Sequence, residues 1–271
     1  MFRSVAPGGL VGEFVALLWL HESAGPGRGV ELRLPTGAVE LVVNLAAECF
    51  WMPDGSGTCR RLPGALVAGP YRHAYLLDGT RPSHVVGVVF RPGRARALVD
   101  VPLSELSNRH VALEDLWGAS AARVRERLLA APDATRTLRV LETVLGERLA
   151  GANLAPHPAV DAATRWLSRF PGHPGVGDLG DRLGLTSRRV QQVFRTEIGL
   201  SPKGYQRLQR FRSVLAAIDE VGRLGWSAFA VRRGYYDQAH LVREFRAHSG
   251  LSPTAYLRGR GGGINHVPLV R

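Results

Sequence analysis

Two stretches decide how this sequence is read: VFRTEIGLSPKGYQR at residues 193–207 and EFRAHSGLSPTAYLR at 244–258. They superpose at an offset of fifty-one residues, with Phe194 over Phe245, Arg195 over Arg246, Gly199 over Gly250 and Tyr205 over Tyr256. Self-similarity at a fixed spacing marks a repeated structural unit. In each copy the glycine ends one helix, and Pro202 or Pro253 opens the next, where a missing N–H costs little.

Working back from each copy gives the rest of the unit. VGDLGDRLGL is a short helix closed at Gly184, and Thr186 or Ser187 caps a second helix that buries Val190, Val193, Phe194 and Ile198. WSAFAVRRG repeats the short helix, Gly234 breaks it, and Asp237 caps a helix that buries Leu241 and Phe245. A long helix over 203–219, with Tyr205, Leu208, Phe211, Leu215 and Ile218 inward, separates the two units. Short helix, glycine-bearing turn, capped second helix is the helix-turn-helix pattern, and here it occurs twice.

Charge agrees with a nucleic-acid partner. The chain has 271 residues and a formal charge of +12, and residues 157–260 hold 17 basic against 8 acidic side chains. Most of the positive excess therefore sits on the repeat-bearing segment. Every basic residue except Lys203 is arginine, which partly reflects codon bias. Around the helical wheel, Arg188, Gln191, Gln192 and Arg195 gather opposite Val190 and its buried neighbours. In the second unit Ala239, Arg243 and Arg246 oppose Leu241 and Phe245, with Gln238 in the first turn and Val242 beside them. Arg and Gln can pair with guanine and adenine edges in a major groove. Arg195, Lys203, His240 and Arg246 suit phosphates, which position a protein without specifying sequence.

DLGDRLGLTSRRVQQVFRTEIGLSPKGY (178–205) and FAVRRGYYDQAHLVREFRAHSGLSPTAYLR (229–258) resemble the AraC/XylS family of transcription regulators. The resemblance covers about residues 160–258. It implies that Arg188, Gln191 and Gln192, then Gln238, Val242 and Arg243, read bases. It departs from the family at Phe229-Ala230, where an aliphatic residue usually precedes Ala, and at Gly234-Tyr235, where Phe usually follows Gly. FRPGRARALVDVPLSELSNRHVALEDLWG (90–118) is similar to a poorly characterised sensor domain attached to some such regulators.

Residues 1–91 read as short strands and turns, broken at Pro35-Thr36-Gly37 and at Gly79 to Pro82. Helices follow from Pro92. The expected architecture is α+β in two domains. Residues 1–150 form a small antiparallel β barrel or sandwich with trailing helices, 151–158 a linker, 159–258 an all-α double helix-turn-helix domain, and 259–271 a flexible tail. A stripe of Leu138, Leu141, Leu145 and Leu149 on the helix 133–150 offers either core packing or a homodimer contact.

The resemblance implies a small effector in the N-terminal domain, and RNA polymerase as a further partner if the protein is an activator. Trp19, Glu40, Trp51, His73 and Tyr75 are the candidate effector residues, each with a core or structural role as the simpler alternative. No metal or cofactor is expected, because His73 and His84 lack the Glu and His companions of a cupin site. Cys49 and Cys59 are too few for a disulfide framework and lack the Pro-Cys-His-Arg context of a methyl-acceptor cysteine. Neither a P-loop nor a hydrolase motif is present, so no enzyme is expected. No apolar run is long enough to span a bilayer, and with only two cysteines a reduced, cytoplasmic setting is the default expectation. Alternatives are a redox-sensing regulator that uses Cys59, flanked by Arg60 and Arg61, and a non-specific nucleoid binder.

Overall fold

The computed structural model describes residues 1–23, 25, 29–152, 157–169, 176–261 and 264–269. The N-terminal domain is built on a six-stranded antiparallel sheet in the order β1 (Phe2–Val5), β2 (Val15–Ser23), β9 (Ser83–Phe90), β4 (Glu40–Asn44), β7 (Ala65–Ala68), β10 (His110–Ala112). Strand residues alternate faces, so one register row aligns Leu18, Val88 and Leu41, and the next aligns Leu20, Val86 and Val43. All six side chains are fully buried. Trp19 faces Gly87 across β2 and β9, and only a glycine fits there, since a Cβ would lie 2.3 Å from the indole ring.

Helices α1 (Gly9–Phe14) and α5 (Ala134–Ala150) cover the apolar face. Asp133 caps α5 by accepting a hydrogen bond from the Arg136 backbone N–H. Leu141 and Leu145 are 0% exposed, and Leu138 and Leu149 are buried beside them. The leucine stripe is thus core, at ~1.5–3 kcal/mol of burial per side chain, and a dimer through it would have to uncover this face. Between sheet and α5 run α2 (Arg96–Val99), a 3-10 turn at Leu103–Leu106, α3 (Leu113–Trp117) and α4 (Ser120–Leu129). Trp117 Nε1 donates to the Leu98 carbonyl at 2.7 Å, and the Arg148 guanidinium stacks 4.4 Å from the same indole.

No closed barrel forms. Because helices shield the main sheet, its edges β1 and β10 stay open, and the remaining strands make two smaller sheets. One is the hairpin β5 (Cys49–Pro53) with β6 (Cys59–Pro63). The other orders as β11 (His266–Pro268), β3 (Gly29–Arg33), β8 (Tyr75–Gly79). Where a flexible tail is expected from the sequence, residues 264–269 instead carry a strand added to the free edge of β3. Leu34 N–H donates to the Asn265 carbonyl at 2.8 Å and Leu269 N–H to that of Val30 at 2.9 Å. Val267, 2% exposed, anchors the strand in a core shared with Leu32 and Leu34.

The C-terminal domain is helical: α6 (Pro158–Arg169), α7 (Val176–Leu183), α8 (Ser187–Glu197), α9 (Pro202–Ala217), a 3-10 turn at Ile218–Glu220, α10 (Val221–Leu224), α11 (Trp226–Arg232), α12 (Gln238–Ser249) and α13 (Pro253–Gly259). Half of the expected linker, residues 153–156, falls outside the described residues. Phe194, Leu208, Phe211, Phe229, Leu241, Phe245 and Tyr256 form one core around α9. No helix among the described residues is long and apolar enough to cross a membrane.

Candidate nucleic-acid interface

Each unit is fixed by the same local chemistry. Thr186 caps α8 by accepting from Arg189 N–H, and Asp237 caps α12 by accepting from His240 N–H at 2.6 Å. Gly184 and Gly234 turn the chain at φ of 63° and 77°, a region that favours glycine. The serines of the two Gly-Leu-Ser-Pro runs are caps as well: Ser201 Oγ accepts from Gly204 N–H at 3.0 Å, and Ser252 Oγ from Ala255 N–H at 3.1 Å. The repeated Phe and Tyr are partners. Phe194 and Tyr205 have ring centroids 6.0 Å apart, Phe245 and Tyr256 5.7 Å, each inclined rather than stacked.

Burying these rings decides what faces outward. Val190, Val193, Phe194 and Ile198 are buried on α8, whereas Arg188, Gln191, Gln192 and Arg195 are exposed. On α12, Leu241 and Phe245 are buried while Gln238, Arg243 and Arg246 are exposed; Lys203, at the start of α9, is exposed too. Val242 is half-buried. His240 is also half-buried, held by Tyr235 at 5.3 Å between rings and with Nε2 3.9 Å from Glu244 Oε1. Its contacts are to its own unit.

Two further exposed side chains lie beside the residues expected to read bases. Arg189 donates to Gln192 Oε1 at 2.9 Å, and so steadies it. Tyr236, 87% exposed, stands immediately before the α12 cap. Wheel position conceals both, since Arg189 lies beside the expected face and Tyr236 outside the helix.

The five effector candidates do not converge. Glu40 and Tyr75 meet at Arg33, whose Nη2 donates to Glu40 Oε1 at 3.0 Å. Burial raises the Tyr75 phenol above its ordinary pKa, with Glu40 adding to the effect. The space beside them is about 10 Å³, room for one water rather than a ligand. Trp19 lies over Gly87, Trp51 carries the Arg81 guanidinium 5.3 Å from its ring, and His73 Nδ1 donates to the Ala247 carbonyl at 2.9 Å. A surface groove of about 620 Å³, lined partly by Arg3, His84, Arg136 and Arg139, contains none of the five. Among the described residues no group of three or more His, Cys, Asp and Glu side chains is placed to hold a metal ion. Cys49 and Cys59 stand at opposite ends of the β5–β6 hairpin, about 13 Å apart at strand rise, and do not face each other.

Comparison with known proteins agrees with this geometry. Residues 179–259 match a helix-turn-helix domain family, and residues 3–112 match a domain of unknown function, DUF6597. No curated protein matches the chain. Among solved structures, ToxT from Vibrio cholerae aligns over 95% of this chain and 98% of its own at 8% identity and a TM-score of 0.46. The C-terminal domain of AraT, a response regulator from Geobacillus stearothermophilus, covers 40% of this chain and 89% of its own, at 20% identity and a TM-score of 0.34. A probable AraC family transcriptional regulator from Rhodopseudomonas palustris covers 39% of this chain and all of its own, at 21% identity and a TM-score of 0.33. The chain is a DNA-binding transcription regulator built on a helix-turn-helix domain. Its doubled unit, with a Gly-Leu-Ser-Pro run after each second helix, resembles the AraC type.

Proposed function

We propose that the protein reads a bipartite operator, with α8 and α12 entering successive major-groove segments on one face of the duplex. One observation carries the reading: both capped helices bury one face on α9 and leave arginine and glutamine exposed on the other. Arg188, Gln191, Gln192, Gln238, Val242 and Arg243 read bases. Arg195, Lys203, His240 and Arg246 hold phosphates, His240 least well because it is engaged within its own unit. The N-terminal domain acts as the regulatory partner, through a small effector. Selection of binding sites from random duplex with the full chain should return two conserved blocks about one turn, ~34 Å, apart. A single short block, or none, would overturn the two-headed reading.

A further inference from the structure

The repeat offset places Glu197 of α8 and His248 of α12 at the same position, two residues before the glycine stop. The two copies differ in residue type there, and both side chains are buried, 7% and 6% exposed. Each is taken by the N-terminal domain. Arg96 Nη1 donates to Glu197 Oε1 at 2.7 Å, and His248 Nδ1 donates to the Arg72 carbonyl at 2.7 Å. Ala74 N–H donates to the His248 carbonyl at 2.8 Å, next to the His73–Ala247 contact. The Pro70 ring seats on Gly199, where a Cβ would lie 2.5 Å from Pro70 Cγ, and the Arg72 side chain runs past Gly204 at the start of α9. The short loop 70–74 between β7 and β8 thus touches the end of α8, the start of α9 and the end of α12.

We infer that the N-terminal domain gauges operator spacing: Arg96 and loop 70–74 hold both recognition helices by one repeat position and so fix the separation of half-sites the protein accepts. The inference rests on the two-headed reading above. Gripping the helix ends leaves the reading faces open, so the domain sets geometry without covering DNA contacts. Small movements suffice. With readers ~34 Å apart, a rotation of about 6° at the grip displaces the far reader by ~3.4 Å, the rise of one base pair. Arg96 and His248 act here as positioning residues.

The test compares the full wild-type chain with Arg96→Gln/His248→Phe on duplexes whose two half-site blocks are separated by spacers varied in one-base-pair steps. Wild type should prefer one spacer at least tenfold over its neighbours. The double variant should level that preference to within threefold while its affinity for an isolated block changes less than twofold. His73→Ala, which removes only the Ala247 contact at an exposed side chain, should give an intermediate profile, and Arg96→Lys should restore the wild-type one. A second readout needs no DNA: spin labels at Asp181→Cys and Ala228→Cys, in a Cys49→Ser/Cys59→Ser background. Their distance distribution should be narrow in the parent and broaden in the double variant. Unchanged spacing and distance would overturn the inference and leave α9 alone as the spacer. A flat profile already in wild type would count against the two-headed reading instead; the label distance would then decide the grip, a broadened distribution upholding it and an unchanged one ending it.

Discussion

Arg96 and Glu197 form an ion pair across the two domains at 2.7 Å, the carboxylate side chain 9% exposed and the guanidinium 30%. Removing the arginine strands a buried charge, which costs far more than losing an exposed pair. Arg96→Ala should therefore destabilise the full chain by about 1–3 kcal/mol, and adding Glu197→Gln should recover much of the loss. Chemical denaturation of the single and double variants checks this; equal losses in both would mean that the pair contributes nothing beyond its packing.

Tyr235 offers the opposite sign. Its ring is buried under Arg210, 5.2 Å from the guanidinium carbon, and its hydroxyl has no hydrogen-bond partner among the described residues. A buried, unsatisfied hydroxyl costs about 1–3 kcal/mol. Tyr235→Phe, which removes only the hydroxyl, should raise the thermal midpoint by a few degrees. A lower midpoint would mean that the hydroxyl is satisfied in solution.

Base readers and phosphate contacts should separate by phenotype. Arg188→Ala or Arg243→Ala should relax base preference within one block and cost ~1–3 kcal/mol for a bidentate guanine contact. Lys203→Ala or Arg246→Ala should weaken all sequences alike and flatten the salt dependence by about one unit of slope. Tyr236→Ala belongs with the readers if the ring meets a base edge, and with the second group if its hydroxyl meets a phosphate. Titrations of cognate and scrambled duplex at several salt concentrations distinguish these outcomes.

His110 gives a pH dependence whose sign follows from its surroundings. Burial, with Arg60 adding, pulls its pKa down to about 4, and its Nδ1 lies 2.6 Å from the Tyr71 hydroxyl. A histidine depressed on folding contributes stability that is full above its unfolded pKa near 6.5 and is lost as pH falls through the folded value. Between pH 7 and pH 4 the loss should approach about 3 kcal/mol, and His110→Gln should flatten that slope in urea titrations. An unchanged slope would place the histidine in water.

The helical repeat was legible because its information is local. Val190, Val193, Phe194 and Ile198 declare a buried face by spacing alone, and Thr186, Asp237 and the glycine stops declare the ends. What escaped is non-local. Glu197 and Arg96 lie 101 residues apart, and His266 reaches Arg33 across 233, so no window of sequence contains either pair. The leucine stripe of α5 was visible, but periodicity marks an apolar face without saying what covers it. Barrel closure depends on which strand ends meet, and the helices that made closure unnecessary lie downstream in the chain.

Strand β11 makes the order of synthesis matter. The sheet it completes has its other strands, β3 and β8, in the first eighty residues, so a ribosome must finish the entire DNA-binding segment before that sheet can close. Until then the edge of β3 stands open, the situation in which nascent strands pair with the wrong neighbour. A fragment cut after α5 would keep that open edge permanently and lack the Val267 anchor. The two domains share a core and a sheet, and the N-terminal one reaches its final form only once the chain has returned to it.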